Sequence, residues 1–254
     1  MKIGDMTILK CDGLSKSFDG VHALVGVTLD FPPSGIVAII GPNGAGKTTL
    51  LNVMTGFLRP ERGRVFLGER ELTRLLAHTV ARLGIARTFQ DLRLISQVSV
   101  LENVLLSRPN QKGENLLHAL SRFGVVAEES KNREEALRLI RFVGLEEKAS
   151  EPAGELSYGQ QKLLTVACCL ATEARILLLD EPVAGVHPEM VSQILSLLRR
   201  LRDEGKLVVF IEHDIAAVRE VAERIIVMDE GKIIAEGKPA EVLERPEIIE
   251  AYVG

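Results

Sequence analysis

Hydrophobic positions along the chain fall into short runs separated by glycine, proline and charged residues. Residues 36 to 40, 176 to 179, 207 to 211 and 225 to 228 are unbroken apolar runs rich in branched side chains. Runs of this length predict strands buried on both faces. Between them the spacing turns helical; Leu163, Val166 and Leu170 share one face of a helix that starts at Ser157. Strands alternating with helices predict the α/β class, with a mostly parallel sheet flanked by helices. The first 35 residues read differently. Residues 7 to 11 and 27 to 31 alternate as strands, with turns at Asp12-Gly13, Asp19-Gly20 and Pro32-Pro33. Residues 65 to 68 add a short strand after a turn at Glu61-Arg62-Gly63. From about Leu92 to Ala149 the pattern changes again. Residues 100 to 106 read as a helix, and residues 127 to 148 are highly charged, with Leu137, Ile140 and Phe142 at helical spacing. This segment predicts a helical subdomain inserted into the α/β core.

One stretch carries explicit chemistry. Gly41-Pro42-Asn43-Gly44-Ala45-Gly46-Lys47-Thr48 fits the pattern G-x-x-x-x-G-K-[ST] of phosphate-binding loops. It follows the apolar run 36 to 40 and precedes Thr49-Leu50-Leu51-Asn52-Val53-Met54, which contains no helix breaker. Strand, glycine loop and helix is the context the motif needs. The glycines let backbone N–H groups turn inward around a phosphate, and the helix start adds the positive end of its dipole. Lys47 is placed to reach the β- and γ-phosphates, and the Thr48 hydroxyl to bind Mg²⁺. The chain is expected to bind a nucleoside triphosphate.

Two further segments fit such a site. The run 176 to 179 ends in Asp180-Glu181. In phosphate-loop enzymes the acid at such a strand end holds Mg²⁺, directly or through water, and a neighbouring carboxylate can orient and deprotonate the attacking water. Leu156-Ser157-Tyr158-Gly159-Gln160-Gln161 opens a helix that Ser157 can cap, and such a helix start also binds anions.

Composition narrows the picture. The chain has 254 residues, 46% of them hydrophobic and 26% charged, as in an ordinary globular protein with one large domain or two joined ones. A net charge of −4 argues against a general nucleic-acid surface. The start, Met1-Lys2-Ile3-Gly4-Asp5, lacks the apolar core of a signal peptide, and apolar runs reach at most about six residues, far short of a bilayer span. Cys11, Cys168 and Cys169 show neither zinc spacing nor a disulfide framework, and read as small core residues.

The phosphate loop, Leu156-Ser157-x-Gly159-Gln160, Asp180-Glu181-Pro182 and a histidine two residues after the run 207 to 211 occur in this order. Together they resemble an ATP-binding cassette (ABC) ATPase over essentially the whole chain. The resemblance implies a RecA-like P-loop core with an N-terminal antiparallel β-subdomain. Residues 1–90 and 161–254 would form that core, and residues 91–160 the helical subdomain with the signature motif. It implies ATP and Mg²⁺ as ligands, with Gly41, Pro42, Asn43, Gly44, Ala45, Gly46, Lys47, Thr48 and Thr49 around the phosphates. Thr48, Gln90 and Asp180 would hold the metal, and Glu181 would serve as the base. Gln90, in Arg87-Thr88-Phe89-Gln90, matches the glutamine that also senses the membrane partner, His213 the switch histidine on the γ-phosphate, and Phe18 the aromatic that stacks on adenine. Ser157, Gly159 and Gln160 match the signature, which in the family binds the nucleotide of an opposing cassette. Residues 184 to 187 match the D-loop that crosses the dimer interface. Two positions depart from the common pattern: Tyr158 stands where many cassettes carry glycine, and His187 where aspartate is commoner.

The motif variants and the final segment, residues 247 to 254, are similar to ATP-binding subunits of branched-chain amino-acid importers and their urea and amide relatives, in which a signature tyrosine is frequent. That resemblance implies a second ABC ATPase as partner, identical or related, together with membrane permease subunits and, indirectly, an extracytoplasmic solute-binding protein. It places the chain in the cytoplasm against the inner face of the plasma membrane, with no nucleic-acid partner. The ATPase of lipopolysaccharide export has a similar tail but usually keeps the second signature glycine. Soluble cassettes of translation or DNA repair usually carry two cassettes or a long coiled coil. A phosphate-loop kinase or GTPase leaves the signature and His213 unexplained.

Overall fold

The computed structural model describes residues 9–109, 125–246 and 248. A six-stranded sheet organises them. Its members are β3 (Gly35–Ile40), β6 (Ile85–Arg87), β7 (Ile176–Asp180), β8 (Leu207–Ile211), β9 (Arg224–Asp229) and β10 (Lys232–Gly237), in the order β10-β9-β3-β8-β7-β6. All neighbours are parallel except β10 with β9. Every residue of β3, β7 and β8 is buried, which is why these strands are apolar without alternation. Alternate residues still serve different cores. Ile36, Ala38 and Ile40 pack under the helical side, whereas Val37 and Ile39 pack under the β-rich side.

The β-rich side is a second, antiparallel sheet of β1 (Leu9–Phe18), β2 (Val21–Asp30), β4 (Arg62–Leu67) and β5 (Arg70–Glu71), in the order β2-β1-β4-β5. Its inner face, including Leu14, Leu24 and Val65, shares a core with Leu50, Leu51 and Met54 of α1 (Lys47–Met54). Contrary to expectation, Asp12-Gly13 is not a turn. β1 runs through it, with pairing to β2 shifting register between Cys11 and Leu14 and Gly13 at φ +63°. A bulge absorbs the glycine because both flanking segments keep the same partner strand. Asp19-Gly20 is the hairpin turn, as expected; the strand expected over 27 to 31 is the second half of β2, which starts at Val21 and ends at Asp30. β4 starts at Arg62, three residues earlier than its apolar run. Of the expected strand 7 to 11, residues 7 and 8 lie outside the described residues, as do the first five positions and, Ile248 aside, the tail 247 to 254.

On the β-rich side α2 (Ala77–Arg82) buries Val80 in the same core as α1. The helical side holds α3 (Val100–Leu106), α4 (Val125–Phe142), α5 (Tyr158–Ala171), α6 (Pro188–Asp203), α7 (Ile215–Val221) and α8 (Pro239–Val242). The charged stretch is α4, which buries Ala136, Leu139 and Ile140 against α3 and α5. Ser99 and Glu102 form a reciprocal capping box that starts α3. Leu163 and Leu164 of α5 belong to the apolar cluster that continues under the six-stranded sheet. The inserted helices therefore share one core with it.

Candidate nucleotide site

Strand register brings the motifs together. Ile39 pairs with Ile211, and Ile211 with Asp180, so β3, β8 and β7 end side by side. Their next residues are Gly41, Glu212 and Glu181. In open α/β sheets ligands bind at such carboxyl ends.

The glycine loop leaves β3 and enters α1. Gly46 is the N-cap residue at φ +94°, and no side chain caps the helix start. The first-turn N–H groups therefore keep the anion-binding potential of a helix N-terminus. A Cβ on Gly46 would lie 2.2 Å from the Ala23 carbonyl oxygen, and one on Gly41 would lie 2.1 Å from that of Met228. The loop is thus pressed between β2 and β9 where no other residue fits. Lys47, almost fully buried, donates from Nζ to the carbonyls of Gly41 at 2.7 Å and Pro42 at 2.8 Å. Burial pulls its ammonium below the ordinary lysine range, opposed by the carboxylates of Glu181 and then Asp180. Thr48 is exposed.

At the end of β7, the Asp180 side chain is 3% exposed, as is that of its ion-pair partner Arg87, whose Nη2 donates to Oδ2 at 2.9 Å. Arg87 also donates to the Asn52 side chain, linking α1 to β6. The Asp180 N–H donates to the Thr88 hydroxyl at 3.0 Å. Asp180 thus keeps Oδ1 for another ligand while Arg87 compensates its charge. Arg87→Met would strand a buried carboxylate. We expect a loss of about 3–5 kcal/mol, read as a lowered midpoint in urea unfolding; an unchanged midpoint would show that water reaches the acid.

Glu181 follows at φ +49°, a left-handed backbone that costs a bulky residue on the order of 1–3 kcal/mol. Several bonds hold it. Its N–H donates to Ile211 O at 3.0 Å, and its carbonyl accepts from Lys162 Nζ. The same ammonium donates to Ala184 O at 2.7 Å. Glu181 Oε1 stands 3.4 Å from His213 Nε2. Gln90 is exposed and lines one cavity with Asp180, Glu181 and Lys162.

Ser157 caps α5 as expected. Its Oγ accepts from Gln160 N–H at 3.3 Å, and Gln160 Oε1 accepts from Ser157 N–H at 2.9 Å. Ser157 and Gly159 do not join the Lys47 cluster. They line a separate concavity with Gly185, Val186 and His187. Tyr158 lies against that same segment; a Cβ on Gly185 would meet its ring at 3.4 Å. Phe18, at the far end of β1, is 42% exposed, so it is not core of the β-sheet, and the Lys16 ammonium lies 5.2 Å from its ring centre. Cys11 and Cys169 are buried, and burial pushes the half-buried Cys168 thiol up to about 11.

Beside the site lies a groove of about 530 Å³ between α2 and α5. Phe57 and Phe89 form its aromatic floor, edge to face at 5.1 Å, with the Arg93 guanidinium 3.6 Å from the Phe89 ring centre. Ala77, Ala81 and Cys168 supply the walls.

Three charged residues at the site escape a motif reading: Arg87, Lys162 and Glu212. Their common signal is a charge set within an apolar context. Lys162 interrupts the buried face of α5 before Leu163, and Glu212 directly follows the all-apolar β8.

Residues 24–184 match the family model described as ABC transporter. The high-affinity branched-chain amino acid transport ATP-binding protein BraF of Pseudomonas aeruginosa is 38% identical over 97% of this chain and 98% of its own. An ATP-binding cassette of an ABC transporter, solved in its ADP conformation, superposes with a TM-score of 0.85 at 34% identity, covering 98% of this chain and all of that one. A dimeric cassette in a post-hydrolysis state with ADP and Pi gives 0.75 at 29% identity, over 91% of this chain and 98% of that one. The chain belongs to the ABC transporter family, as one of its ATP-hydrolysing cassettes.

Proposed function

We propose that this chain is the ATP-hydrolysing subunit of an importer for branched-chain amino acids. The observation that carries the reading is the convergence of Lys47, Asp180, Glu181 and His213 at the ends of three adjacent parallel strands. The likeness to BraF over nearly the full length supports the transported class.

Two chains, identical or related, close on two ATP molecules. In each, Gly41 to Thr49 surround the phosphates, with Lys47 moving from its loop carbonyls to the β- and γ-oxygens. Phe18 stacks on adenine. Ser157, Gly159 and Gln160 face the partner's nucleotide, with the Ser157 hydroxyl exposed at the start of α5. Thr48, Gln90 and Asp180 fit Mg²⁺, since it takes hard oxygen donors and completes its shell with water and phosphate; among the described residues no cluster of three acids or histidines competes for a softer metal. Bound there, the ion would supply charge neutralisation to the phosphates. Glu181 takes the proton of the attacking water, and His213, beside it, contacts the γ-phosphate. Closure follows because ATP binds the closed pair better than the open one.

Residues 1–90 and 161–254 are the ATPase core with its β-subdomain, and residues 91–160 the helical subdomain with the signature. The groove with Phe57 and Phe89 would take a short cytoplasmic helix of a permease subunit by its apolar face. Gln90, next to Phe89, would sense it. Among the described residues no helix is long and apolar enough to cross a membrane, which suits a subunit held at the inner face by such a contact.

Affinity capture of the full chain from gently solubilised native membranes tests this. The expected co-purifying set is two multi-span permeases, a second cassette ATPase and an extracytoplasmic binding protein that binds leucine, isoleucine or valine. A β-jellyroll bridge protein with exporter-type subunits would replace the reading with lipopolysaccharide export. Soluble ribosomal or DNA-associated partners alone would end it.

A further inference from the structure

Two buried charges bind the main chain of one turn. Lys162, on α5, is 7% exposed and gives its protons to the carbonyls of Glu181 and Ala184. Glu212, after β8, is 1% exposed, and its Oε1 accepts the Val183 N–H at 2.7 Å, between those two carbonyls. Its Oε2 accepts the N–H of His213 at 3.1 Å. The two side chains form no direct ion pair; each spends its charge on main chain. Burying an ammonium and a carboxylate this way is costly unless the arrangement itself is needed. What they hold is the left-handed backbone of Glu181 and the amide of His213, the residues whose side chains stand 3.4 Å apart.

We propose that Lys162 and Glu212 are positioning residues that clamp residues 181–184 and thereby aim the Glu181 carboxylate at His213 and the attacking water. The inference rests on Glu181 being the base. Without the clamp, Glu181 relaxes toward right-handed backbone and its carboxylate leaves His213. Lys162 sits one turn past the Ser157 cap, so the helix that meets the partner's nucleotide is the helix that holds this subunit's own base. Burial pushes the Glu212 carboxyl above its usual range, opposed by the amides it accepts from and by Lys162 nearby, and pulls the Lys162 ammonium down; neither charge is held there by solvent.

The test compares kcat and ATP affinity in the full chain for Lys162→Met, Glu212→Gln and the double variant, with Glu181→Gln alongside. Each single variant is expected to lower kcat by up to about 100-fold, as a displacement of about 1 Å at the reacting groups does, with nearly unchanged ATP affinity. The double variant should be about as slow as the slower single, because both residues act on one turn. Wild-type kcat in both singles, with Glu181→Gln inactive, overturns the clamp and leaves the base assigned. Wild-type hydrolysis by Glu181→Gln removes the underlying reading instead. Affinity falling in step with kcat also overturns the clamp, since general loosening does that. If a single variant loses its cooperative melting transition, Glu212→Asp carries the test: it keeps the charge and shortens the reach, and an unchanged kcat refutes the proposal.

Discussion

Lys47→Ala is expected to abolish tight nucleotide binding. The ammonium is nearly buried and donates to two loop carbonyls at the start of α1, which it exchanges for phosphate oxygens when nucleotide binds. Truncating one partner of a buried charged hydrogen-bond pair costs about 2–5 kcal/mol. That corresponds to a rise in Kd of roughly 30- to several thousand-fold, at 1.4 kcal/mol per decade. Titration calorimetry with ATP reads it directly. The loop itself should survive, because its shape comes from the glycines packed against Ala23 and Met228 rather than from the lysine. A melting curve close to wild type beside a lost binding signal is the expected pair of results. Unchanged affinity would mean that the phosphates bind elsewhere.

Glu181→Gln separates binding from chemistry. Glutamine keeps the size and one acceptor oxygen but takes no proton at neutral pH. Loss of a positioned general base costs about 10²- to 10⁴-fold in rate, whereas the contacts of Lys47 and the loop are untouched. We expect phosphate release to fall by that factor, ATP affinity to remain, and an ATP-dependent dimer to accumulate on size exclusion. The left-handed backbone at this position is unaffected, since glutamine meets the same torsional cost as glutamate. Hydrolysis at the wild-type rate would move the base to another residue, and His213, 3.4 Å away, would be the first to try.

Much of the site was readable along the chain because its parts are local. The phosphate loop needs only a buried strand, glycines where backbone turns left-handed or passes close to its neighbours, and a helix after it; all lie between Gly35 and Met54. The Ser157 cap is a contact between positions three apart, so its spacing was visible in advance. Arg87 was not readable as a partner of Asp180. The two are 93 positions apart and meet only because β6 pairs with β7. The same holds for Glu212 and Val183, brought together by β8 beside β7. Asp12-Gly13 misled for the converse reason. Its local chemistry is that of a turn, and only continued pairing with β2 and β4 keeps the strand going through it.

The sequence by itself determined the buried strands, the inserted helical segment, the glycine loop and the family to which they belong. Each is written in side-chain period or in contacts a few residues apart, where backbone sterics and burial act directly. The tertiary structure decided which strand lies between which. Placing β8 between β3 and β7 sets His213 beside Glu181 and Glu212 behind the 181–184 turn. That order follows from packing two faces of one sheet against two different partners, a requirement spread over the whole chain and expressed at no single position.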